Sequence, residues 1–201
     1  MFLKTSTDDG AMFGQEAVIS PTDRGVCPCC AMQAMVDREG NLYVIFRAAR
    51  NASDRDITLL TSTNRGDSFE HSTVARWRVE SCPMSSMALT EIPTGVLAAW
   101  ETQQQVYFGL IKKGSAMVSN ITAPPGQAPS RKHPAFAPAS DGGFLFAWTE
   151  HTGWKKGGSM AWQLFDAVLK PDGELGNAPG VAMWSFISAY AEPPGGFVLV
   201  R

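Results

Sequence analysis

Apolar and polar positions follow a long rhythm along this chain. Four short apolar runs stand out, each entered through polar residues and a glycine. They are EGNLYVIFR (Glu39 to Arg47), TGVLAAWE (Thr94 to Glu101), GGFLFAWTE (Gly142 to Glu150) and GGFVLVR (Gly195 to Arg201). With Leu42, Val96, Phe144 and Phe197 set as equivalent, the steps are 54, 48 and 53 residues. The runs are rich in aromatic and branched residues, short, and bounded by Gly, Pro, Asn and Asp, so they read as strands. Strand sets that repeat about every 50 residues are the pattern of propeller blades.

Each repeat extends beyond its central run. A strand of small residues precedes it (Ala31 to Val36, Met84 to Leu89, Pro134 to Ala139, Trp184 to Ala191). Two more follow it, as at Ile57 to Ser62 and about Thr73 to Val79. This predicts four antiparallel strands per blade, called A to D from the axis outward. The expected fold is all-β, one propeller domain over residues 1–201. Three blades fall at about 28–80, 82–131 and 133–181, and the fourth joins the termini, 184–201 plus 2–25. Completed within one chain, the half blades give a four-bladed ring. Completed between chains, they give a homodimer. An open arc would leave bare sheet edges and ranks last.

The start of the chain explains the phase of the repeat. Ser6, Asp8, Gly10 and Phe13 match Ser62, Asn64, Gly66 and Phe69, a Ser-x-(Asp/Asn)-x-Gly-x-x-Phe motif at the C–D turn. The Asp or Asn side chain can bond backbone amides in the turn, glycine tolerates positive φ, and the aromatic packs under the hairpin. This motif resembles the Asp box of sialidase-like (BNR-repeat) β-propellers. The series Cys27-Pro28-Cys29-Cys30, Arg47, Arg55-Asp56-Ile57, the box at Ser62, Trp77 and Cys82-Pro83 is similar to a bacterial branch of those proteins carrying CPCC and a later CP. The likeness is best over residues 1–101. Relatives are commonly longer at the N-terminus, so the resemblance implies the C-terminal part of such a protein, secreted or periplasmic. As written, Met1 is followed by no apolar leader, which by itself predicts a cytoplasmic chain.

Composition narrows the partners. The net charge is -2 with no basic block, which argues against nucleic acid. The apolar runs fall far short of the roughly 20 residues a membrane-crossing helix needs. No cofactor is called for outside the cysteines.

In sialidase-like propellers the Asp boxes lie on the face away from the active site, so the resemblance implies that the D-to-A and B-to-C connections carry any chemistry. The D-to-A connections hold Cys27, Cys29 and Cys30, then Cys82 with Met84, then His133. The B-to-C connections hold Arg47, Arg50, Arg55 and Asp56, then Glu101, then Glu150, His151 and Trp154. Arg47, Arg50, Arg55, His133, His151 and Trp154 are candidates for binding a carbohydrate or small acidic ligand. Arg47, Arg55 and Asp56 equally suit ion pairs between blades. Glu101 and Glu150 either form an acid–base pair across the channel or end their strands in solvent. The cysteines form a disulfide (Cys30–Cys82, or Cys27 with one of the others), a thiolate site for Cu(I) or Zn, or free buried thiols.

Sialidase chemistry, as the resemblance implies it, needs an arginine triad, a tyrosine nucleophile assisted by a glutamate, and an aspartate acid. No triad maps onto this chain. Tyr43 and Tyr107 lie inside strands and Tyr190 near the end of one. The leading expectation is a carbohydrate or acidic-ligand binding or scaffold module. The alternatives are a sialidase-like glycoside hydrolase and a metal or redox role at the Cys/Met cluster.

Overall fold

Seventeen strands and no helix make up the fold in the computed structural model, which describes residues 1–201. The first complete blade holds β3 (Gly25–Val26), β4 (Gln33–Val36), β5 (Leu42–Ala49), β6 (Ile57–Ser62) and β7 (Glu70–Ala75). The second holds β8 (Ala88–Ile92), β9 (Gly95–Thr102), β10 (Gln105–Ile111) and β11 (Val118–Thr122). The third holds β12 (Lys132–Pro138), β13 (Phe144–Glu150), β14 (Gly158–Phe165) and β15 (Pro171–Val181). Within each blade the strands pair antiparallel with their neighbours in sequence, except that β3 and β4 both pair with β5.

The second strand of each blade is buried on both faces, which is why it reads as an unbroken apolar run rather than an alternating one. Alternate residues of β9 face different blades. Val96, Ala98 and Trp100 meet Tyr43, Ile45, Ile57 and Leu59 of the first blade. Leu97 and Ala99 share the other cluster with Phe144, Phe146 and Trp148 of the third. Phe108 on β10 is fully buried there, with ring centroids 4.8 Å from Phe165 and 4.9 Å from Phe146. At separations below 7 Å such rings add to the area they bury.

Two half blades flank this array. β1 (Phe2–Leu3) pairs with β2 (Ala17–Val18), and β16 (Ser188–Glu192) with β17 (Gly196–Val200). Met1 and Ile19 pack against Val44, Phe46 and Ala48 of the first blade. Leu199 packs on Ala147 and Val181 of the third. The two halves form separate two-stranded sheets. Each buries its apolar face on the complete blade nearest in sequence, which requires no long-range closure.

The innermost strand of the first blade is interrupted. β3 pairs with Ala48 and Ala49, and β4 pairs with Leu42 to Ile45 of the same partner strand. Residues 27–32, which contain the CPCC motif, loop out between them.

Both Ser-x-(Asp/Asn) turns form as the residue pattern predicts. The Gly10 amide donates to Ser6 Oγ (2.9 Å) and the Met12 amide to Asp8 Oδ1 (2.9 Å). The Gly66 amide donates to Ser62 Oγ (2.8 Å) and the Ser68 amide to Asn64 Oδ1 (3.0 Å). Asn64 thus keeps the acceptor that the turn uses. Gly10 and Gly66 have φ of 87° and 95°, the region glycine tolerates. The Ser6 hydroxyl and the Met12 amide hold the Asp8 carboxyl below its usual range. The two aromatics differ. Phe69 packs against the first blade, whereas Phe13 is 61% exposed.

Replacing Phe108 with alanine should remove the centre of the cluster between the second and third blades. The expected loss is roughly 3–5 kcal/mol of unfolding free energy, measured by urea denaturation. A loss under about 1 kcal/mol would mean that these blades do not stack as described.

Candidate functional site

The D-to-A and B-to-C connections meet at one end of the blades, opposite the Ser-x-(Asp/Asn) turns. They enclose a cavity of about 550 Å³. Its walls come from four successive D-to-A connections and the B-to-C loop of the third blade. Among the expected site residues it gathers Cys29, Cys82, His133 and Trp154. Below it, the innermost strands β4, β8, β12 and β16 line the channel, with Tyr190 exposed there.

Three lining residues share an uncommon backbone. Met84, His133 and Trp184 have φ of 48°, 53° and 64°, in the left-handed region. They stand 49 residues (84 to 133) and 51 residues (133 to 184) apart, one per D-to-A connection. A non-glycine side chain there costs free energy, which the surrounding structure must offset. The same turn in three blades aims three large side chains into one cavity. Trp184 meets Trp154 edge to face at 4.8 Å, and both are more than half exposed.

His133 is held between Phe186, at 4.4 Å between ring centroids, and Ser86, whose Oγ lies 3.4 Å from Nδ1. Burial, then the Lys132 charge, lowers its pKa to about 4. The imidazole is therefore neutral at pH 7. The cationic groups of the cavity are Lys132 and Lys156, and no carboxylate lines it.

The cysteines are brought together, in a pairing other than the expected one. Cys29 is bonded to Cys82, with Cα atoms 6.9 Å apart. Neither Cys30–Cys82 nor a bridge from Cys27 forms, because the loop between β3 and β4 turns Cys27 and Cys30 inward, where both are buried. Burial pushes the Cys30 thiol up.

Several expected site residues lie beneath the cavity or outside it. Arg47 is fully buried and reaches into the second blade, where Nη2 lies 3.1 Å from both Glu101 Oε2 and Ser85 Oγ. Its Nη1 donates to the Arg55 carbonyl (2.9 Å), and the guanidinium sits over the Trp77 ring. Glu101 also accepts the Gln104 amide (2.8 Å). Burial raises the Glu101 pKa and the Arg47 charge opposes that rise.

Glu150 is likewise buried. Its Oε1 accepts from Arg131 Nε (3.0 Å) and Trp148 Nε1 (2.8 Å). Neither glutamate ends its strand in solvent, and neither reaches across the channel. Each satisfies a buried guanidinium that would otherwise be costly to bury. Arg55 donates to the Asn51, Ala52 and Asp54 carbonyls, shaping its own loop. Arg50 and Asp56 line a separate polar recess with Arg24, Arg76 and Arg78. His151 is exposed and lies outside the cavity lining.

Sequence reasoning missed Lys132, Lys156, Trp184 and Phe186 in the cavity wall, and Arg131 below it. A signal existed for Trp184, since extending the Met84–His133 step by one repeat falls only two residues short of it. Nothing local marks Arg131, whose Nη1 and Nη2 are taken up by the Pro124 and Pro125 carbonyls.

No family model and no curated protein matches this chain. Solved structures do. It superposes on the GH93 α-L-arabinofuranosidase of Fusarium graminearum in complex with arabinobiose, with TM-score 0.68 and 11% identity over 99% of this chain and 66% of that one. The Penicillium chrysogenum α-L-arabinanase complexed with arabinobiose gives TM-score 0.68 and 12% identity over 100% and 66%. The intramolecular trans-sialidase from Ruminococcus gnavus gives 0.60 and 12% over 98% and 45%. At identities this low the superpositions show the fold alone, a β-propeller of the sialidase-like type. The chain spans 66% of the length of the first two proteins and 45% of the third.

Two outcomes follow from this geometry. Arg47→Met should cost roughly 3–5 kcal/mol in denaturant unfolding, because it strands Glu101, and Arg47→Met with Glu101→Leu should recover much of the loss. A double variant no better than the single one would remove the pairing argument. For His133, the folded pKa of about 4 lies below the ordinary 6.5. Its neutral form therefore contributes stability in full above about pH 6.5, and that contribution is lost as pH falls towards 4. NMR should show the His133 ring titrating near pH 4, and a midpoint near 6.5 would contradict its burial.

Proposed function

We propose that the cavity face binds a carbohydrate carrying an acidic group. The observation that carries this reading is the makeup of the wall: Trp154, Trp184 and Phe186 beside Lys132 and Lys156, with no carboxylate. Large aromatic faces cover the apolar side of a sugar ring and remove it from water. The two ammonium groups complement a carboxylate. Each carries three donors, and the Pro83 carbonyl, 2.5 Å from Lys132 Nζ, occupies one on that side chain. The cavity has the size and the mainly apolar lining of a small-molecule site. Structural neighbours that act on arabinan or sialosides use this same fold, which supports a sugar as the ligand class.

Hydrolysis by paired carboxylates needs two of them flanking the scissile bond. Glu101 and Glu150 are committed to Arg47 and Arg131 below the cavity. No tyrosine that could act as a nucleophile lines the cavity either, so recognition without turnover is the reading these residues favour.

A glycan array followed by calorimetry tests it. Oligosaccharides with uronic or sialic acid residues should bind, and neutral analogues more weakly. Trp154→Ala and Trp184→Ala should each weaken binding about tenfold, near 1.4 kcal/mol. Lys156→Ala should reduce both the affinity and its salt dependence. Binding should not change between pH 5 and 8, since His133 stays neutral there. Retention of full affinity in the Trp154→Ala/Trp184→Ala double variant, or no acidic glycan bound, would sink the proposal. Steady hydrolysis of aryl glycosides abolished by Trp184→Ala would replace it with an enzyme.

A further inference from the structure

Four sulfurs converge at one edge of the cavity, twice the number a crosslink uses. Cys27 Sγ lies 3.7 Å from Cys29 Sγ and 3.7 Å from Cys30 Sγ. The sulfurs of Cys27, Cys30 and Cys82 all lie within 4.8 Å of one another. Three of the four come from the six-residue loop (27–32) between β3 and β4, and the fourth from the neighbouring blade.

Backbone contacts hold this loop in place. The Cys27 amide donates to the Arg47 carbonyl (2.9 Å), and the Ala31 amide to the Ser85 carbonyl (3.2 Å) of the second blade. The fold therefore presents a fixed loop with three thiols against a fourth. A tetrahedral metal–thiolate centre with bonds of about 2.3 Å has sulfurs about 3.8 Å apart. The two Cys27 distances already match that spacing.

We propose that, when the Cys29–Cys82 bond is reduced, Cys27, Cys29, Cys30 and Cys82 bind one thiophilic ion of the Zn(II) type as a tetrathiolate. The chemistry balances with an external dithiol as reductant. Its thiolate attacks one sulfur of the Cys29–Cys82 bond, that bond breaks, and the second reductant thiol displaces the mixed disulfide. The reductant leaves as a disulfide, having supplied two electrons and two protons, and Cys29 and Cys82 become thiols. Binding of the divalent ion then releases the four thiol protons to solvent.

The surroundings suit both ion and access. Cys29 and Cys82 line the cavity, which provides an entry path, while Cys27 and Cys30 are buried and shielded. A zinc tetrathiolate carries two net negative charges, and the Arg47 guanidinium beside this loop, although paired with Glu101, keeps one donor free to face it. Its Nε is buried without a hydrogen-bond partner. The centre would occupy one wall of the cavity and exchange with the disulfide, so the same loop would be crosslinked under oxidation and metallated under reduction. This inference is independent of what the aromatic wall binds.

The experiment uses the whole chain. It is reduced without oxygen, freed of reductant, incubated with Zn(II), desalted and measured by elemental analysis. One zinc per chain is expected, and Co(II) in its place should give the intense visible bands of a tetrahedral cobalt thiolate. Cys27→Ala/Cys30→Ala keeps the pair that forms the disulfide, so its oxidised form should fold with that crosslink intact, read as no free thiol. After reduction that variant should retain no stoichiometric zinc. Three results would overturn the proposal: a reduced parent chain that binds no zinc, a double variant that binds it equally well, or a disulfide that a dithiol leaves intact in the folded chain.

Discussion

A four-stranded blade carries apolar side chains on both faces and cannot remove them from water alone. The rest of this structure depends on that constraint. β5, β9 and β13 each send alternate residues into clusters on opposite sides, so every blade serves as the core of its neighbours. Area removed from water stabilises at about 25 cal/mol per Å², so residues such as Trp100, Phe108 and Trp148, almost wholly enclosed between blades, contribute heavily. The half blades follow the same rule by packing on the nearest complete blade.

Close stacking has an electrostatic consequence at the strand ends. Where β5, β9 and β13 run out, polar groups are trapped between blades and must be satisfied there. Arg47 with Glu101, and Arg131 with Glu150, meet that requirement through several hydrogen bonds each and an aromatic ring under each guanidinium. Such pairs contribute little net stability against a well-packed apolar alternative, yet losing one partner is costly. Their structural effect is positional. Arg47 ties Ser85 and the Glu101 strand end to the first blade, and these support the cavity floor.

Above that floor the chain departs from regular structure in a repeated way. The left-handed residues Met84, His133 and Trp184 and the loop carrying Cys27, Cys29 and Cys30 all interrupt the path into an innermost strand. Each puts a large or reactive side chain where an ordinary A strand would have placed a small one. Irregularity on rigid blades is a common arrangement of binding surfaces.

The chain itself determined the period near 50 residues, the order A to D within a blade, the two Ser-x-(Asp/Asn) turns and the face to which the connections belong. All of these rest on local signals: apolar runs, glycine at positive φ, and side chains that bond their own turn. Only the tertiary structure decided which cysteine meets Cys82, whether Glu101 and Glu150 see water, and that Arg131 and Trp184 matter. Those outcomes depend on how far one blade overlaps the next. A strand-end glutamate reads the same in sequence whether solvent or a guanidinium from elsewhere in the fold faces it. Three cysteines in four residues offer several bridges that only the path of their loop can resolve.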